Sequence, residues 1–297
     1  MSYSSNNNLI SSSGETSLPL HTQHTFESAI KVNNGPIMGS VLTFPSTITA
    51  KLAARSGLQW VMIDMEHSPH TAGQATDMCH AVLAASQGAC LPIIRIPSHG
   101  VEWIKWALDS GAAGIVVPMV NTAQEMKEII NKALYPPYGS RSWGPFHAPF
   151  GSLDPKVGFP EYYERAQSRQ IAILPIIESR EGVENAEAIM SVDGVTGVFV
   201  GPSDLRLSLG GVPGGPIPSS NAKVEHDWNA AMDKVVAIGK KLGKVVGSMG
   251  VGEEFCLKQT ERGMDFLLVS IDYNALNSGY KLDMANAKRG IERALKL

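Results

Sequence analysis

"LDSGAAGIVVPMV" (Leu108–Val120) ends a helical pattern, turns on a glycine and runs into a continuous apolar stretch. A glycine just past a helix end is the usual left-handed cap, and an unbroken Val/Ile run reads as a strand buried on both faces. The same phrase recurs in "ARSGLQWVMID" (Ala54–Asp64) and "TERGMDFLLVS" (Thr260–Ser270). A unit of helix end, glycine and buried strand, repeated along the chain, builds a parallel sheet covered by helices.

Working outward from that phrase gives eight apolar runs: Pro36–Phe44, Trp60–Asp64, Leu91–Ile96, Gly114–Val120, Ala172–Glu178, Gly197–Gly201, Lys244–Gly250 and Phe266–Ser270. Segments of helical spacing such as "STITAKLAARSG" and "TAQEMKEIINKAL" lie between them. Eight strand–helix units in about 250 residues predict an α/β fold of the (β/α)8 TIM-barrel type. An open doubly wound sheet is the runner-up, disfavoured because no GxGxxG follows an early strand. Residues 1–22, rich in Ser and Asn, read as a flexible N-terminal tail, and residues 23–297 as one catalytic barrel domain.

The chain has 297 residues, 43% of them hydrophobic, and a formal net charge of −3, which gives no electrostatic case for nucleic acid or a membrane surface. Three cysteines without CxxC spacing indicate neither a disulfide framework nor a zinc cluster, so a reducing, cytoplasmic setting is expected.

In a TIM barrel the residues that do chemistry sit at the C-terminal ends of the strands. Reading off those ends gives Asp64 and His67 after the second run, Arg95 on the third, Glu178 on the fifth and Asp204 just after the sixth. Glu178 and Asp204 are hard oxygen donors from adjacent strands. They suit Mg²⁺, with Mn²⁺ or Co²⁺ as alternatives, better than structural zinc. Two carboxylates leave coordination positions for water and a bidentate 2-oxo acid, whose enolate the cation would stabilise. Arg95 offers a fixed fork of donors to the keto oxygen or a carboxylate. "GPSDL" (Gly201–Leu205) starts a helix whose free N–H groups could take a substrate carboxylate, and His67 is the proton-transfer group. No run ends in lysine, so Schiff-base chemistry is disfavoured.

These residues carry a resemblance. "DMEHSPH" (Asp64–His70), "PIIRIP" around Arg95, "LDSGAAGIVVPMV", "YPPYGSRSWG" (Tyr135–Gly144), "PIIES" around Glu178 and "GVFVGPSDLRLSLG" (Gly197–Gly210) resemble, in order, the motifs of the HpcH/HpaI family of metal-dependent class II 2-oxo acid aldolases. The likeness extends from Phe26 onward. It implies a (β/α)8 barrel assembled as a homo-oligomer, commonly a hexamer. It makes Glu178 and Asp204 the metal ligands, Arg95 the contact to the keto group, and His67 the acid–base residue. Asp109 would reach from a neighbouring subunit to orient that histidine, and the amides of Ser203 and Asp204 would hold the pyruvate carboxylate.

Two departures from the family pattern bear on substrate. Ile176 stands where these aldolases usually carry glutamine, and Arg141-Ser142 replaces Arg-Gly, followed by Trp143, Pro145, Phe146, His147 and Phe150. With Tyr162 and Tyr163 close behind, this loop suggests a flat, unsaturated second substrate, with Trp143, Phe146 and Tyr162 contacting it. Packing of the same rings at a subunit interface is the competing account. The expected function is Mg²⁺-dependent decarboxylation of oxaloacetate to a pyruvate enolate that adds to a 2-pyrone. The alternatives are aldol cleavage of 4-hydroxy-2-oxo acids to pyruvate and an aldehyde, and a barrel that binds a 2-oxo acid without turnover. A lyase acting on acyl-CoA thioesters would want a basic groove, and no suitable Lys/Arg cluster stands near the rim segments.

Overall fold

The computed structural model describes residues 25–152, 154, 156–213 and 220–295; the expected tail of residues 1–22 lies outside them. Eight parallel strands close in sequence order into one barrel: β1 (Ile37–Leu42), β2 (Trp60–Asp64), β3 (Leu91–Arg95), β4 (Gly114–Val117), β5 (Ala172–Ile177), β6 (Gly197–Val200), β7 (Val245–Met249) and β8 (Phe266–Ile271). β8 pairs with β1, which removes both sheet edges. The TIM barrel expected from the repeated phrase is the fold.

The helices are α1 (Phe26–Val32), α2 (Thr47–Ala54), α3 (Ala72–Ser86), α4 (Val101–Asp109), α5 (Ala123–Ala133), α6 (Phe159–Gln167), α7 (Arg180–Glu184), α8 (Ala186–Met190), α9 (Pro202–Ser208), α10 (Ala222–Leu242), α11 (Glu253–Arg262) and α12 (Asp272–Leu295). Local sequence explains their limits. Thr71 with Gln74, and Thr122 with Glu125, form capping boxes that start α3 and α5, while Gly243 and Gly263 end α10 and α11 in the left-handed conformation.

The barrel interior is filled from its base. Phe26 of α1, Trp60 of β2 and Phe266 of β8 are fully buried and meet edge to face, with centroids 5.0–5.6 Å apart. Gly39 makes this possible, since a Cβ there would stand 2.3 Å from the Trp60 ring. Sealing this end leaves the opposite end, where strands point their C-termini, as the open rim.

Two segments depart from a plain barrel. Between α5 and β5 the chain inserts a loop, a short 3-10 turn (Ala148–Gly151) and α6. Helix-to-strand connections of this kind belong to the N-terminal end of the barrel. At the other extreme, β8 runs into α12 without a loop, and Asp272 is the only buried residue of that helix. Tyr273, Leu276, Tyr280, Leu282, Met284 and Ile291 are all exposed along it. No helix among the described residues is long and apolar enough to cross a membrane, and Cys79, Cys90 and Cys256 are unbridged.

Candidate active site

Asp64 ends β2 in register with Arg95 at the end of β3, so the pairing of two strands sets the pairing of two side chains. Arg95 donates from Nε to Asp64 Oδ1 (2.8 Å) and from Nη2 to Oδ2 (2.7 Å), a bidentate fork. Asp64 Oδ1 also accepts from the amides of Glu66 (3.0 Å) and His67 (3.3 Å), which turns the chain out of the strand. Burial opposes the charge on Asp64, but Arg95 and these amides outweigh it and hold the carboxyl below its usual range. Asp64 is thus a support that aims Arg95.

Glu66 belongs to the same cluster, although sequence reasoning passed over it in favour of its neighbours. Its Oε2 lies 3.3 Å from Arg95 Nη1 and 3.7 Å from His67 Nε2. Burial raises its carboxyl, helped by the negative charges of Asp64 and Asp204 against Arg95 and His67. A carboxylate placed directly before the catalytic-candidate histidine was the signal available in "DMEHSPH". His67 itself projects outward, with 66% of its side chain exposed.

Glu178 follows β5 and is only 7% exposed. Its Oε1 accepts from the backbone N–H of Met119 at 2.7 Å. Met119 takes the left-handed conformation (φ 52°), uncommon for a side chain of its type, and so turns the chain after β4 back toward the carboxylate. The second oxygen faces Gly201, where a Cβ would stand 2.5 Å from Oε2. Glycine is therefore required there by close approach. Burial pushes the Glu178 carboxyl up to about 7; Asp204 and Glu66 push the same way, and the Met119 amide and Arg95 oppose them. Asp204, in the first turn of α9, is exposed. Gly201 is buried, Ser203 half-buried, and Ile176 lies inside the barrel at 1% exposure.

A buried carboxylate gathered with two like charges, one oxygen held by an amide and the other directed at open backbone, is a donor set that a hard cation would neutralise. No group of three or more His, Cys, Asp or Glu side chains among the described residues is placed to hold a metal ion by itself. The residues fit a cation held by Glu178 and Asp204 with water and substrate supplying the rest.

Asp109 and the aromatic loop are placed differently. Asp109 ends α4, at the opposite end of that helix from the loops of the rim, and its carboxylate is bonded to Arg141. Burial raises the Asp109 carboxyl against the opposing charge of Arg141. Arg141 lies over the Tyr135 ring at 4.5 Å and donates to Tyr162 Oη at 2.9 Å. Tyr162 in turn donates to the carbonyl of Leu108 at 2.7 Å and is 5% exposed. Tyr162, expected to contact a ring substrate, has its hydroxyl bonded inside the chain, joining α6 to the end of α4. Trp143 and Phe146 are exposed. Trp143 lines a groove with Tyr135, Phe159 and Tyr163, and both line a second groove beside Trp106, Asp109 and His147. Neither groove includes Asp64, His67, Arg95, Glu178 or Asp204.

Comparison with known proteins agrees with this fold. The family model described as HpcH/HpaI aldolase/citrate lyase matches residues 42–266. A hydroxypyruvate/pyruvate aldolase of Rhizorhabdus wittichii is 33% identical over 253 residues, covering 85% of this chain and 94% of that protein. A 2-keto-3-deoxy-L-rhamnonate aldolase of Klebsiella pneumoniae is 34% identical over 235 residues, 79% of this chain and 82% of that protein. Among solved structures, macrophomate synthase superposes with a TM-score of 0.77 at 26% identity, covering 93% of each chain. An HpcH/HpaI-family protein of Burkholderia cenocepacia gives 0.74 at 28%, covering 87% of this chain and 97% of that one.

Proposed function

The chain belongs to the HpcH/HpaI aldolase/citrate lyase family, and we propose that it makes or breaks a carbon–carbon bond beside the keto group of a 2-oxo acid. The observation that carries this reading is the environment of Glu178: a buried carboxylate at a strand end, fixed by one amide and grouped with Asp204 and Arg95. When bound there, Mg²⁺ (alternatively Mn²⁺ or Co²⁺) supplies Lewis-acid polarisation of the substrate's keto oxygen.

The chain's own residues do the rest. Arg95, locked by Asp64 and Glu66, presents its remaining donors to the oxygen on which negative charge develops, without reorganising as the reaction proceeds. Gly201 and Ser203 open the turn that receives the substrate carboxylate. His67, exposed beside Glu66, moves the proton between substrate and solvent in aldol cleavage or addition. Decarboxylation of oxaloacetate needs Arg95 and the cation but no base.

Assembly completes the site. Asp109 cannot serve its own His67 from the far end of α4, and it orients the histidine of another copy in a homo-oligomer, a hexamer by family likeness. The exposed apolar side chains along α12 support such an assembly. A second reading, addition of the pyruvate enolate to a 2-pyrone, is favoured by the exposed Trp143 and Phe146, which would then face the rim of a neighbouring copy. The likeness to macrophomate synthase supports the same reading.

One substrate screen separates these accounts. The protein is incubated with oxaloacetate and Mg²⁺, with and without a 2-pyrone, and with pyruvate or hydroxypyruvate plus aldehydes. Pyruvate release that EDTA abolishes supports the proposal, and the acceptor consumed identifies the second substrate. Ligand binding with no turnover on any pair would make the protein a 2-oxo acid binding barrel.

A further inference from the structure

The helix that carries Asp204 is too short to hold itself. α9 spans seven residues, well under the length at which an isolated helix is stable in water, so its direction is set by what it packs on. That support is Trp228 of α10, which is 1% exposed. Its indole N–H donates to the carbonyl of Pro202 at 2.9 Å, two residues before Asp204. Arg206, on the same short helix, lays its guanidinium over the Trp228 ring at 4.4 Å and pairs with Glu225 of α10 at 3.3 Å. Phe255 of α11 stacks on Trp228, centroids 6.3 Å apart and planes 24° apart. Arg262 approaches the same ring at 5.8 Å while its Nη2 donates to Asn229 of α10 at 2.7 Å and its Nη1 to Gln259 of α11 at 2.7 Å. The indole is thus clamped between the base of α9 and α11, with one directional bond reaching the turn that presents Asp204.

Packing alone does not call for that bond. A phenylalanine would fill much of the same space and stack on Phe255, but it would leave the Pro202 carbonyl without this donor and loosen the hold on the start of α9, with Arg206 and Glu225 still joining its far end to α10. Asp204 is exposed and gains no fixed direction from burial, whereas Glu178 is fixed by Met119. The two carboxylates therefore depend on separate supports.

We infer that Trp228 is a positioning residue for cation binding: through its bond to Pro202 it holds α9 so that Asp204 faces Glu178. This rests on the proposed role of Asp204 and deepens it. The test compares Trp228→Phe with Trp60→Phe, a change to an equally buried tryptophan in the base of the barrel. Mg²⁺ affinity is read by titration calorimetry, and amide hydrogen exchange is read by mass spectrometry on the metal-free protein. Trp228→Phe is expected to speed exchange in residues 201–209 about tenfold and to weaken Mg²⁺ binding about five- to tenfold, while turnover at saturating Mg²⁺ stays near wild type. Trp60→Phe should lower the melting temperature without either change.

Unchanged exchange in residues 201–209, or unchanged Mg²⁺ affinity in Trp228→Phe while the wild type binds, would overturn the inference and leave the metal site standing. Wild-type protein that takes up no Mg²⁺ would overturn both together.

Discussion

The two ends of this barrel are built from opposite materials. At the base, Phe26, Trp60 and Phe266 interlock edge to face with no charge among them. At the rim, strand ends of similar depth carry Asp64, Arg95 and Glu178. Burying aromatic rings lowers the free energy of the fold by their apolar area, while burying Glu178 with like charges raises it. The base stabilises the fold, and the rim carries strain that the proposed cation would relieve. Substitutions at the two ends should therefore separate stability from activity.

The largest effects should come from the rim. Arg95→Ala is expected to lower both oxaloacetate decarboxylation and aldol cleavage by about 10²–10³-fold, the usual cost of removing a preorganised donor to a developing oxyanion. His67→Ala should reduce aldol cleavage by about 10²–10⁴-fold while leaving decarboxylation within about tenfold of wild type, because loss of CO2 forms the enolate without a base removing a proton, and solvent can supply the proton that turns the enolate into pyruvate. Steady-state assays of both reactions on both variants check the division. Equal losses in the histidine variant would contradict it.

At the base, Trp60→Ala should cost about 3–5 kcal/mol of unfolding free energy, as for other fully buried aromatic rings, with unchanged Mg²⁺ affinity in the protein that remains folded. Denaturant melts paired with Mg²⁺ titration would show whether the two ends are as separate as their chemistry suggests.

The reading of the chain as a barrel followed from short local signals. Glycine-capped helix ends and continuously apolar runs mark β2, β4 and β8 because a strand buried on both faces leaves no polar alternation to confuse the pattern. The strand ends were less legible. The run Gly114–Val120 stops as a strand at Val117, because Met119 leaves the extended conformation to bond Glu178, a contact 59 residues distant in sequence. Glu66 was missed for a related reason. Its role depends on the approach of Arg95 from the next strand, which no spacing within "DMEHSPH" encodes. The surroundings of the aromatic loop were not legible either, because sequence brings Tyr162 near Trp143 but does not say that Arg141 and Leu108 take its hydroxyl. Nor does a long amphipathic segment at the chain's end reveal that α12 departs from its own barrel. That direction is set by Asp272, whose carboxylate accepts from the amides of Thr43 (2.8 Å) and Phe44 (2.9 Å) and from the Thr43 hydroxyl (2.6 Å).

The strain at the rim has a pH signature. With the Glu178 carboxyl at about 7 in the fold and 4.5 ordinarily, the folded chain retains a proton that the unfolded chain has lost between those values. Stability of the metal-free protein should therefore fall as pH rises from 4.5 to 7, by up to about 3 kcal/mol from this group, and stay at the lower level above pH 7. Calorimetric melts in EDTA at pH 5 and pH 8 would read this, and the decrement should shrink in Glu178→Gln.

Smaller effects are expected from the exposed rings. Trp143→Ala and Phe146→Ala should each change acceptor affinity by about 1 kcal/mol if a planar acceptor stacks on them across an interface, and leave oxaloacetate decarboxylation unchanged. Parallel losses in both reactions would make the loop an element of assembly alone.

Cation binding at the rim is tested most directly by isothermal titration of Mg²⁺ into wild type, Glu178→Gln and Asp204→Asn. The prediction is one site per chain in the wild type, weakened at least about 100-fold in each variant, with melting temperatures showing that both variants remain folded. Unchanged affinity in either variant would contradict the assignment of Glu178 and Asp204 as the cation's protein ligands.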